Sequence, residues 1–166
     1  MDNIIKNIPG KYNWFDAVHV AGHSAPVSFK NSRLHSVSES ENSGFGIRIN
    51  RDGRTGFSYT NDLSRTCGAV ERAYSLTPYG DPEGFTLPDD TKLLFEPFDT
   101  RIESFSVQDE IARGESFIAE MMKEFPSASV DMNISASQGV MRLINSRGVD
   151  ISYRDSYYSV SMSCLL

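Results

Sequence analysis

Apolar and polar residues alternate at period 2 near both ends of the chain and recur at helical spacing in between. Tyr12 to Val20 carries Trp14, Phe15, Val18 and Val20 and reads as a strand, and Pro26 to Lys30 reads as a second short one. Asn31-Ser32 is a turn signal. After it, Leu34, Ser36, Ser38 and Ser40 alternate with His35, Val37, Glu39 and Glu41, the mark of a half-buried strand. Ser43-Gly44 is read as a break. Phe45, Ile47 and Ile49 then share one face, with Gly46, Arg48 and Asn50 on the other. Asp52-Gly53 follows between alternating runs. Both residues tolerate positive φ, so the pair predicts a tight type I′ hairpin. Gly56 to Thr60 is the return strand, which completes a first β-meander.

The period then changes. Thr60-Asn61-Asp62 offers N-cap candidates. Leu63, Cys67, Val70 and Tyr74 form one stripe of an amphipathic helix that Thr77-Pro78 ends. Gly68 costs that helix about 1 kcal/mol relative to Ala, and its presence is read as close packing. Residues 78–105 contain Pro78, Pro82, Pro88 and Pro97 with Gly80 and Gly84. They read as an irregular connector, the segment most free to move, with a short strand at Lys92 to Phe95. A second helix starts at Ser106, with Asp109 three residues on as in a capping box. Its apolar stripe is Val107, Ile111, Ile118, Met121, Met122 and Phe125, and Pro126 stops it.

Period 2 returns at the end. Ala128, Val130, Met132, Ile134 and Ala136 share a face, Gly139 to Ile144 reads as another strand, and Asn145-Ser146-Arg147-Gly148 reads as a turn. Val149 to Arg154 and Tyr157 to Leu166 complete a second meander. Helices segregated from antiparallel strands predict an α+β fold: a two-layer sandwich of antiparallel β-meanders packed against two amphipathic helices. The last strand runs to Leu166 without a polar tail. We read residues 1–166 as a single domain cut from a longer chain, or as a domain whose edge strand meets a partner.

Charge narrows the partners. Residues 78–131 hold 4 basic and 13 acidic side chains, net −9, whereas residues 1–77 hold 9 and 7. So acidic a segment repels a phosphate backbone, which speaks against nucleic acid. No apolar run approaches the roughly 20 residues of a membrane span, and the first residues lack the apolar core of a signal peptide. The expectation is a soluble, cytoplasmic protein without a membrane partner. Cys67 and Cys164 are far apart and read as reduced, largely buried small hydrophobes.

Candidate chemistry is sparse. His19 and His23 could share a metal on a helix. On a strand, four residues span roughly 13 Å, so only a tight turn at Gly22 would bring them together. His35 is alone. Gly44-Phe45-Gly46 precedes a strand and lacks the lysine of a phosphate loop, and no Gly-x-Ser-x-Gly elbow accompanies the many serines. Asp89-Asp90 reads as a solvated pair. These residues predict no catalytic, cofactor or metal site.

Several segments in order resemble a known family. Ser28-Phe29-Lys30-Asn31-Ser32-Arg33-Leu34-His35-Ser36-Val37 is followed by Ser43-Gly44-Phe45-Gly46-Ile47-Arg48-Ile49. Asp52-Gly53-Arg54-Thr55-Gly56-Phe57-Ser58-Tyr59-Thr60-Asn61-Asp62-Leu63 and Ala69-Val70-Glu71-Arg72-Ala73 come next, then Asn145-Ser146-Arg147-Gly148-Val149 and Tyr153-Arg154-Asp155-Ser156. The series resembles the N-terminal domain of the TldD/PmbA family, also called modulators of DNA gyrase, and is closer to the PmbA type.

The resemblance implies a much longer parent, with this α+β domain leading and a mostly β domain behind. It implies a two-subunit protease complex acting on peptides and unfolded chains. In that family the TldD-type subunit carries zinc on an H-E-x-x-x-H motif, which does not occur here. The PmbA type lacks the motif, and no family catalytic residue maps inside this chain. Only Asn3 to Ile8 is available for the family's leading helix.

Three functions follow from these readings. The first is a scaffold that contacts a partner and binds peptide within such a complex, with a second copy or a TldD-like subunit as the partner. The second is a stand-alone binding module, and the third a gyrase-associated regulator. In the first, function lies in backbone edges rather than side-chain chemistry. The candidate edge carries Tyr157, Tyr158, Val160 and Met162 of the last strand, which would take an unfolded peptide through main-chain hydrogen bonds.

Overall fold

The computed structural model describes residues 5–84, 86–89 and 92–166. It is an α+β fold with six strands in one antiparallel sheet and two α-helices. The strands are β1 (Trp14–Lys30), β2 (Arg33–Val37), β3 (Ser40–Arg51), β4 (Arg54–Thr60), β5 (Ser129–Asn145) and β6 (Asp150–Leu165). The helices are α1 (Thr66–Leu76) and α2 (Val107–Glu124). The sheet order is β4-β3-β1-β5-β6, with β2 paired to β1.

Local signals fold as the pattern predicts. Asp52 and Gly53 have φ of 53° and 76°, and Arg51 pairs with Arg54 across the turn. Gly53→Val leaves the side chain in open space, so its cost is backbone strain alone. A loss of about 1–3 kcal/mol in a denaturant melt is expected, and an unchanged midpoint would contradict it. Asn31 and Ser32 also take positive φ, 50° and 62°, at the β1–β2 turn. Ser106 caps α2, its Oγ accepting from the Asp109 N–H at 3.3 Å.

Strand lengths differ from the sequence reading. The runs at 12–20 and 26–30 are one strand, β1; those at 128–136 and 139–144 are one strand, β5; and β6 joins the final two. Among the described residues only Gly53 and Gly148 are glycines with positive φ. Gly22, Gly44 and Gly139 therefore stay extended and turn nothing. The break expected at Ser43-Gly44 falls at Ser38-Glu39 instead, and β2 is exposed on both faces rather than half-buried. No strand forms at Lys92 to Phe95, where Leu94 is 94% and Phe95 74% exposed. Cys67 and Cys164 are both exposed, not buried.

The described residues gather into two compact units, one from within 1–21, 42–96 and 140–154, the other from within 22–41, 97–139 and 155–166. In the first, Phe15, Ala17, Phe45, Ile47 and Ile49 form the core with Ala69, Val70 and Ala73 of α1. The stripe of α1 is thus rotated from the expected one, and Leu63 and Cys67 are exposed. The cause is close approach: a Cβ on Gly56 of β4 would stand 2.0 Å from the Ala73 carbonyl oxygen. The missing side chain at Gly56 lets the helix sit that near. Gly68 is not the contact point; a Cβ there would meet only the Arg72 guanidinium, at 3.4 Å.

The second unit packs Val27 and Phe29 of β1 and Val130, Met132 and Ile134 of β5 against Ile118 of α2. Val107, Ile111 and Met121 border that core, as the stripe predicts, while Met122 and Phe125 stay exposed.

Candidate functional site

Among the described residues β6 ends the sheet order, with β5 on one side and no strand on the other. The turn before it is built by Asn145. Its Oδ1 accepts from the N–H groups of Arg147 (2.8 Å) and Val149 (3.1 Å), and Gly148 supplies φ of 94°. Its Nδ2 donates to the Pro88 carbonyl at 3.0 Å. This last bond ties the connector to the hairpin, and Arg147 adds an ion pair to Asp89. Of the pair expected to be simply solvated, Asp89 is thus tied to Arg147, and Asp90 lies outside the described residues.

The connector then runs along the first part of the open edge. The Arg154 N–H donates to Glu96 Oε1 and the Ser156 N–H to the Pro97 carbonyl, both at 3.0 Å. The Asp99 N–H returns a bond to Ser156 Oγ at 2.8 Å. Strand alternation extends this geometry. Tyr158, Val160 and Met162 share the parity of Ser156, so their N–H and C=O groups face the same outer edge. Their side chains share the face of Tyr158, whose hydroxyl donates to Glu110 Oε2 of α2 at 2.9 Å. Tyr157 points to the opposite face. All four edge residues singled out in the sequence are exposed.

Beside this edge lies a cleft of about 750 Å³, lined by Arg101, Phe105, Asp109, Glu110, Arg113 and Tyr158 among others. The Glu110 side chain is only 7% exposed. A buried carboxylate needs partners, and Arg113 (2.8 Å) and Tyr158 supply them. Burial first, and then the bond to Glu110, push the Tyr158 phenol above its usual range. At the rim, the Arg101 guanidinium holds Asp99 down at about 2. Phe105 meets Tyr158 edge-on, ring centroids 6.4 Å apart.

The sequence reading missed this cleft, although one signal was present: Glu110 and Gly114 sit on the otherwise apolar stripe of α2. The histidines assemble nothing. β1 runs unbroken through Gly22, so the turn that would unite His19 and His23 is not formed. The His19 Nε2 is enclosed without a hydrogen-bond partner, and His35 lies on exposed β2. Among the described residues, no three of His, Cys, Asp and Glu are grouped to hold a metal.

Comparison with known proteins decides the family. Residues 15–77 match the model of PmbA/TldA metallopeptidase domain 1, and residues 100–166 match the PmbA/TldA metallopeptidase central domain. The chain belongs to the PmbA/TldD family. The stretch between the matches is the connector. Uncharacterized protein MJ0231 of Methanocaldococcus jannaschii is 23% identical over 159 residues, covering 90% of this chain and 35% of that protein. TldE from Thermococcus kodakarensis superposes with a TM-score of 0.85 at 14% identity, over 99% of this chain and 42% of that one. A Bacteroides thetaiotaomicron protein described as a DNA gyrase modulator gives 0.79 at 17% identity, over 98% and 38%. These likenesses establish the fold. The chain spans well under half the length of these relatives. Among the described residues no helix is long and apolar enough to cross a membrane.

Proposed function

We propose that this chain is the N-terminal scaffold of a PmbA-like subunit in a TldD/PmbA-type protease complex, and that it binds partner or peptide through the outer edge of β6. The observation that carries the reading is the end position of β6 in the sheet, with Tyr158, Val160 and Met162 exposed beside the edge that has no strand. Such an edge offers N–H and C=O groups to any extended backbone, and main-chain bonds accept many sequences. That suits a protein acting on unfolded chains. The catalytic zinc would belong to the TldD-like subunit, and a second copy of this chain is the other candidate partner.

Amide hydrogen exchange with and without an extended peptide of alternating valine and threonine tests the edge. Slower exchange at Tyr158, Val160 and Met162 is expected, with β2 and β4 unchanged. Exchange unaltered at every strand edge under saturating peptide would sink the reading.

A further inference from the structure

If β6 is a strand-accepting edge, as proposed above, the groups beside that edge select what an accepted strand carries. The chain's own extended segment occupies that edge as far as Ser156, through Glu96 and Pro97. An incoming strand therefore begins at Tyr158, where the cleft opens.

Three carboxylates, Asp99, Asp109 and Glu110, and two guanidiniums, Arg101 and Arg113, line the cleft. Asp99 is held by Arg101, and Glu110 by Arg113 and Tyr158. Asp109 is exposed and enters none of these pairs. A cation placed there meets one unneutralised carboxylate, and the Phe105–Tyr158 pair offers an apolar wall for the stem of a long side chain.

Further along, the edge turns apolar. Val160 and Met162 share the face of Tyr158, and both are exposed.

We infer that the cleft beside Tyr158 and the outer half of β6 bind an extended peptide segment with a basic side chain at the cleft and apolar side chains at the alternate positions beside Val160 and Met162.

The test uses acetylated, amidated peptides of alternating valine and threonine that differ only in the residue placed at the cleft: lysine, norleucine or glutamate. Binding to the full chain is read by fluorescence anisotropy. The lysine peptide should bind roughly fivefold more tightly than the norleucine one and the glutamate peptide more weakly, a difference that added salt removes. Asp109→Asn should erase the advantage of the lysine peptide over the norleucine one, while Val160→Ser should weaken all three. Equal binding of the three peptides would overturn the charge assignment and leave strand addition standing, as would a lysine advantage that survives Asp109→Asn. Unchanged affinity in Val160→Ser would overturn the apolar half. No binding of any peptide would overturn the strand-accepting edge itself, and this inference with it.

Discussion

Gly56→Ala is expected to cost about 3 kcal/mol, the upper end for one methyl added to a packed interior. In a denaturant melt the midpoint should fall sharply with little change in slope. A Cβ at Gly56 would stand 2.0 Å from the Ala73 carbonyl oxygen and 2.8 Å from the Thr77 nitrogen. Both are backbone atoms, so no rotamer change relieves the contact, and α1 must lift away from β4. Lifting it uncovers Ala69, Val70 and Ala73, each wholly buried now. Gly84→Ala is the matched control. Nothing lies within 4 Å of a Cβ there, so its effect should stay within about 0.5 kcal/mol. Equal midpoints for the two variants would show that α1 does not depend on this close approach.

The same contact marks the limit of what the sequence shows. Phe45, Ile47 and Ile49, and the row from Ala128 to Ala136, were legible because burial of one sheet face enforces period 2 directly. Asp52-Gly53 and Ser106 were legible because turns and caps are decided within a few residues. The rotated stripe of α1 was not, because the residue that sets it, Gly56, lies on another element and acts by having no side chain. Strand lengths were not legible for a related reason. Gly22 and Gly139 permit a turn, but pairing with neighbouring strands keeps them extended.

The site was half legible. The end of the chain showed an exposed strand with Tyr157, Tyr158, Val160 and Met162, but nothing near them in sequence shows that Glu110 and Arg113 stand against Tyr158, 48 and 45 residues away. The family was legible because its motifs sit on the two matched segments, 15–77 and 100–166. The connector between them offered no motif. Its order comes from individual ties such as Arg147 to Asp89 and Asn145 to the Pro88 carbonyl.

Phe29 and Gly114 should show a change of sign between single and double variants. Phe29 is 1% exposed and packs among Ile118, Val130 and Met132. Its truncation to Ala should cost about 3–5 kcal/mol through lost transfer energy and the cavity left behind. A Cβ on Gly114 would lie 2.5 Å from two carbon atoms of that ring. In an open helix Gly→Ala gains about 1 kcal/mol. Here the ring is buried among Ile118, Val130 and Met132, and overpacking costs about 1–3 kcal/mol, so Gly114→Ala alone should be destabilising. Once Phe29 is Ala, the obstacle is gone and the helix preference remains. The double variant should therefore be more stable than Phe29→Ala alone. A double-mutant cycle from denaturant melts measures the coupling, and additive costs would show that Gly114 is not held by the ring. The link to function is α2 itself. Gly114 fixes how closely the helix lies over the sheet, and one turn earlier Glu110 reaches Tyr158 beside the open edge. Gly114→Ala should therefore also weaken peptide binding, even under conditions where the protein remains folded.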